Sequence, residues 1–259
     1  MTWTTRPRSE VGNLSAIVAG DGPPFILLHG VGLRAEAWNP VIAALSTRFR
    51  VIAPDMIGHG RSRMDQTPAT LSDYTKSVLP LLDQPAMIAG HSMGAMMALD
   101  LAAQHPDRIA GVAALNAIYR RSPDAQQAVQ ARAAALDPHT ITDPTQTLTR
   151  WFGSEATPQR ATCQKWLTSV DPVAYKAAYT VFAHQDGPSD DDLTGLTCPA
   201  LFMTGSAEPN STPEMSRRMA ALAPHGSAVV VDDAAHMMPM THAATVSTEI
   251  MAFATGVTT

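Results

Sequence analysis

Clusters of basic residues are absent from this 259-residue chain, and cysteine nearly so. Charged residues make up only 16% of it, and its formal net charge is -5. Without a basic face there is no electrostatic footprint for nucleic acid, and no run of Lys or Arg could hold an anionic membrane surface. Long apolar runs are missing too, so no segment reaches the length that spans a bilayer. The first eight residues, Met1 to Arg8, lack the apolar stretch of a secretory leader. Cys163 and Cys198 show neither metal-ligand spacing nor a CxxC pair. The expectation is a cytoplasmic protein with two reduced thiols, no metal, and neither nucleic acid nor membrane as a partner.

What remains is an ordinary globular composition, 45% hydrophobic, of a length that suits one large α/β domain with an insertion. Short apolar runs end in turn residues: Ile26 to Leu28, Arg50 to Ala53, Ala86 to Ala89, Ile109 to Leu115, Ala200 to Met203 and Ala228 to Val231. Continuous rather than alternating hydrophobicity marks strands covered on both faces, as in a parallel sheet. Between them lie helical segments, among them Leu71 to Leu82, Ser92 to His105 and Thr212 to Leu222. The βαβα alternation predicts a doubly wound α/β sheet. It breaks from about Tyr119 to Leu193, where helices are expected around Val129 to Leu136, Pro144 to Phe152, Pro158 to Val170 and Pro172 to His184. This divides the chain into a core of residues 1–118 and 194–259 and a helical insertion of residues 119–193.

Gly90-His91-Ser92-Met93-Gly94 fits G-x-S-x-G, and it follows a strand and opens a helix. Such an elbow holds a serine at a strained backbone position above the carboxyl edge of a sheet, with a helix N-terminus behind it. His29-Gly30-Val31-Gly32 ends an earlier strand, and its backbone can supply an amide to an oxyanion. The expected pair of oxyanion donors is Val31 and Met93. Asp55-Met56-Ile57-Gly58-His59-Gly60-Arg61-Ser62 contains Asp, His and Ser, but neighbours in one loop rarely converge on one point. A structural role is expected there, with Asp55 and Arg61 holding the loop.

A serine hydroxyl needs a base near neutral pKa. His236 meets that requirement on the loop after the last strand. The carboxylate that would fix its tautomer is expected to be Glu208, on the loop after the penultimate strand. Asp232 and Asp233 are the alternatives, but they share a loop with His236 and would have to fold back onto it.

Taken together, these landmarks resemble the α/β-hydrolase superfamily, in particular its cofactor-free esterase, lactonase and C–C hydrolase branch. The resemblance covers nearly the whole chain outside the insertion and includes Trp38 beside the motifs already named. It implies an eight-stranded, mostly parallel sheet with a helical cap, an active site between cap and sheet, and no metal or organic cofactor. One departure is that such enzymes usually carry Asp where this chain has Glu208.

The expected activity is hydrolysis of a carboxylic ester or lactone of a small to medium-sized molecule through an acyl-enzyme on Ser92. The alternatives are C–C bond hydrolysis of a diketone-like ring-cleavage product and a non-catalytic small-molecule receptor on the same fold. Haloalkane dehalogenation is disfavoured, because it needs a carboxylate where Ser92 stands. Among cap residues, Trp166, Tyr179 and Phe182 are the expected substrate contacts, together with His29 at the strand end. Whether the protein works as a monomer or a homodimer is not written in these features.

Overall fold

The computed structural model describes Trp3 and residues 6–257. The outermost positions of the expected core, 1, 2, 4, 5, 258 and 259, lie outside the described residues. Strand β1 (Ser9–Val11) and β2 (Leu14–Ala19) form a hairpin, followed by β3 (Pro24–Leu28), α1 (Asn39–Leu45), β4 (Arg50–Pro54) and α2 (Leu71–Val78). Then come β5 (Ala86–His91), α3 (Met93–Gln104) and β6 (Ile109–Leu115). Five helices succeed one another with no strand between them: α4 (Pro123–Ala134), α5 (Thr145–Phe152), α6 (Pro158–Leu167), α7 (Pro172–His184) and α8 (Asp190–Thr194). The chain returns to the sheet with β7 (Ala200–Gly205), α9 (Pro213–Leu222) and β8 (Gly226–Val231), and closes on α10 (Met238–Thr241) and α11 (Ala243–Val257).

The strands form one eight-stranded sheet in the order β1-β2-β4-β3-β5-β6-β7-β8. From β4 to β8 the pairings are parallel; only β1 with β2 and β2 with β4 are antiparallel. Period-two alternation divides each central strand between two apolar cores. Ile26, Leu28, Ile88, Val112 and Phe202 face one, with Tyr74, Met97, Leu101 and Met219 from α2, α3 and α9. Phe25, Leu27, Met87, Ala113 and Leu201 face the other, with Trp38, Val41, Ile42, Val246 and Ile250. Strands buried on both faces are why the sequence shows continuous apolar runs.

Several helices start by the same device, a side-chain cap followed by proline. Ser122, Thr157, Asp171 and Thr212 each accept a hydrogen bond from the backbone amide three residues on, and Pro123, Pro158, Pro172 and Pro213 follow them. Each cap satisfies an amide that has no acceptor inside the helix, and proline costs nothing where an amide hydrogen would be unused. No helix among the described residues is long and apolar enough to cross a membrane.

Candidate active site

Strand β5 runs through the centre of the sheet, and Ser92 stands at its carboxyl end with φ 58° and ψ −119°. This left-handed backbone is costly for a residue with a Cβ, and the surroundings enforce it. A Cβ at Gly90 would collide with the carbonyl of Gly94, and one at Gly94 with the carbonyl of Leu28. The two glycines therefore let α3 fold back tightly against β5 and β3. Ser92 caps α3, and Met93 is its first residue, so its amide has no acceptor one turn back. The Gly30 segment presses on Ser92 from the other side: a Cβ there would lie 3.0 Å from Ser92 Cβ.

The imidazole of His236 donates from Nδ1 to Oε2 of Glu208 at 2.8 Å, which leaves Nε2 as the proton acceptor. Glu208 is fully buried, yet it is well supplied with donors. Its Oε2 also accepts from Asn116 Nδ2 at 3.1 Å, and Oε1 accepts from the backbone amides of Asn210 at 2.8 Å and Ser211 at 3.4 Å. Burial pushes this carboxyl up, but the charge of His236 and these hydrogen bonds outweigh it and hold the group at about 2. Asp232 and Asp233 are exposed, and the carboxylate paired with the imidazole is that of Glu208.

Two side chains that sequence reasoning missed hold the histidine's backbone. His91 donates from Nε2 to the carbonyl of His236 at 2.7 Å, and Asn116 Nδ2 donates to the same carbonyl at 3.1 Å. Burial, then the proximity of His236, lowers His91 to about 3, so it stays neutral and keeps that donor in place. The signal for His91 was hidden in the unspecified second position of G-x-S-x-G. Asn116, with φ 52°, follows the end of β6, where a turn to left-handed backbone favours asparagine. Trp151 of α5 stacks on the His236 ring, centroids 5.6 Å apart and planes inclined by 22°.

Ser92, Val31 and His236 share a cavity of about 300 Å³ with Tyr179 and Phe182. Its outer wall is made by α4, α5 and α7, with Val129, Trp151 and Tyr175 as further apolar lining. Two expected contacts are corrected. Trp166 is buried in a separate cluster with Leu33, Leu148 and Cys163, beneath the guanidinium of Arg34. Its ring packs the helical layer instead of lining the cavity. His29 is fully buried: Nδ1 donates to the carbonyl of Gly30 at 2.8 Å, and Nε2 accepts from the amide of Met56 at 2.9 Å. Burial lowers its pKa far enough to keep it neutral, so it staples two loops together and does not reach the cavity.

Asp55 is likewise a loop holder. It accepts from the backbone amides of Ala35 and Arg61, both at 2.8 Å, and its charge is met by Arg8 at 3.0 Å. The expected partnership with Arg61 is made through that residue's backbone, and the cation is Arg8. Among the described residues no group of three or more His, Cys, Asp or Glu could hold a metal ion.

Residues 25–249 match the model of the alpha/beta hydrolase family. The chain is 38% identical to the (E)-2-((N-methylformamido)methylene)succinate hydrolase of Acinetobacter baylyi over 228 residues, 86% of each protein. Among solved structures it resembles the enol-lactonase of Burkholderia xenovorans, with TM-score 0.82 and 27% identity over 96% of this chain and all of that one. It also resembles a thermophilic esterase of Thermogutta terrifontis, with TM-score 0.84 and 26% identity over 98% of this chain and all of that one. With the sheet order, the elbow and the matched span in agreement, the chain belongs to the alpha/beta hydrolase family and is an enzyme of that family.

Proposed function

We propose that this enzyme hydrolyses a carboxylic ester or lactone of a small to medium-sized molecule through an acyl-enzyme on Ser92. The observation that carries the reading is the 2.8 Å Glu208–His236 pair opening onto the same cavity as a serine held at φ 58°. Glu208 fixes the imidazole with its proton on Nδ1, so Nε2 takes the hydroxyl proton as Ser92 Oγ attacks the carbonyl carbon. The amides of Val31 and Met93 stabilise the oxyanion. The bond to the leaving oxygen then breaks, and His236 returns the proton to it. Water attacks the acyl-enzyme by the same route, with His236 as base and Ser92 as leaving group. His91 and Asn116 act through His236, as positioning residues on its carbonyl. Helices α4 to α7 serve as the cap that closes the cavity and selects the substrate, and the enzyme works in the cytoplasm without a cofactor.

A second reading is favoured by the Acinetobacter relative, whose named substrate carries a formyl–nitrogen bond. The same nucleophile and base can cleave an acyl–nitrogen bond in an enamide, with His236 protonating nitrogen in place of oxygen.

A fluorophosphonate probe and a panel of p-nitrophenyl esters, lactones and N-acyl enamides test both. Labelling of the folded enzyme at Ser92, and loss of turnover by at least about a thousandfold in Ser92→Ala, are expected. Full turnover in Ser92→Ala would overturn the mechanism, and the better substrate class chooses between the two bonds.

A further inference from the structure

The chain is acidic overall, yet the lining of its cavity contains three arginines, Arg121, Arg132 and Arg150, and no aspartate or glutamate. All three belong to the segment between β6 and β7, whereas Ser92, Val31 and His236 lie at the carboxyl ends of sheet strands or on the loops after them. The situations of the arginines differ. Arg121 is committed to the protein: it donates to the carbonyl of Gln185, lies 3.8 Å from Asp186, and covers the ring of Phe182 at 4.7 Å. Arg132 on α4 uses Nε to donate to the hydroxyl of Tyr179 at 3.2 Å. Arg150 on α5 donates from one terminal nitrogen to Thr147 Oγ1 at 3.0 Å. Among the described residues neither Arg132 nor Arg150 forms an ion pair, although a guanidinium offers five N–H donors in a fork that fits a carboxylate.

A surface arginine without an acid partner is ordinary, but two in the wall of one cavity are not explained by solvation alone. They give one cavity exposed positive charge, aromatic rings and Ser92 together. We propose that Arg132 and Arg150 form a carboxylate cradle, so that the substrate is a compact acyl compound bearing at least one carboxylate remote from the bond cleaved. Tyr179 orients the Arg132 fork, and Thr147 orients that of Arg150. The aromatic wall of Trp151, Tyr175 and Phe182 receives the carbon chain between the two ends. Both guanidinium groups are exposed at the rim, so their attraction works partly on approach and is weakened by salt. The proposal rests on the hydrolase reading for the position of the reacting carbonyl, while the charge pattern stands on the lining alone. A succinate in the name of the Acinetobacter relative's substrate is in keeping with it.

Phenyl hydrogen adipate and phenyl hexanoate present nearly the same shape with and without the carboxylate. The wild-type enzyme is expected to favour the acid by roughly tenfold or more in kcat/KM at low salt, chiefly through KM, with the preference shrinking at high salt. R132Q and R150Q should each lower that preference by roughly tenfold. A preference that is absent, or unmoved by either variant, would overturn the cradle while leaving the hydrolase intact. If neither ester is turned over and Ser92 is not labelled by the phosphonate, it is the hydrolase reading that fails. Calorimetric titration of Ser92→Ala with adipate and with adipamide then still decides the cradle. Binding of adipate alone, weakened by R132Q, supports it; equal binding of both, or of neither, refutes it.

Discussion

His236 is held at three kinds of contact: Glu208 on its Nδ1, His91 and Asn116 on its carbonyl, and Trp151 on its ring. The carboxylate is the one whose contribution changes with pH. Glu208 sits at about 2 against an ordinary 4.5, so the folded state holds its proton less tightly than the unfolded chain does. Ionised Glu208 therefore favours folding at full strength above 4.5, and the benefit fades as pH falls toward 2. Glu208→Gln should unfold at lower urea than the wild type near neutral pH, with the gap closing as acid protonates the wild-type carboxyl. A gap of the same size at every pH would show that the charge plays no part. The proposed roles of Ser92, Glu208 and His236 could be read from the sequence because each lies just beyond a strand and each is a residue type that the proposed chemistry requires. Those of His91 and Asn116 could not, since a side chain clasping another loop's backbone leaves no spacing to read. Trp166 and His29 misled for a related reason: an aromatic ring on a helix and a histidine at a strand end look alike whether they face a cavity or a neighbouring loop.

The elbow depends on the close approach of α3 to β3 and β5. Alanine in place of Gly94 would drive a methyl group into the carbonyl of Leu28. Gly94→Ala is expected to cost about 1–3 kcal/mol by overpacking, read as a lower thermal midpoint. Because relief requires Ser92 to move, phosphonate labelling should slow in the same variant; labelling at the wild-type rate would sink that coupling. Among the elements, the six runs read as strands are those paired in parallel; burial on both faces makes the pattern plain in β3 to β7, and in the half-exposed edge strand β8 a run of three valines does so. The hairpin β1–β2 was not readable, because β1 is three residues long and exposed, and β2 lies toward the sheet's edge. Helix α11 was equally mute. Its core face, Ala243, Val246, Ile250 and Ala254, keeps helical spacing, but Thr245, Thr248, Thr255 and Val257 elsewhere along it blur the pattern and are weak helix formers.

At the scale of the whole molecule, an acidic chain holds a cavity walled in part by arginine, and buried charge ties the segment ahead of β1 to the loops after β3 and β4. Arg8 lies ahead of β1 with its side chain almost wholly buried, paired to Glu36 at 2.5 Å and to Asp55 at 3.0 Å. Asp55 in turn holds the amide of Ala35, a few residues beyond Val31. Removing the guanidinium would strand two buried carboxylates without a cation. Arg8→Met should therefore cost about 3–5 kcal/mol in urea unfolding. A loss below about 1 kcal/mol would mean that solvent replaces the arginine without strain.

Arg8 thus makes the segment ahead of β1 a latch pin for the loop that follows β3. A protease that nicked the chain just ahead of Ser9 would loosen the loop behind Val31 without entering the cavity. Any tag or fusion placed at that end has to leave the pin seated for the enzyme to work.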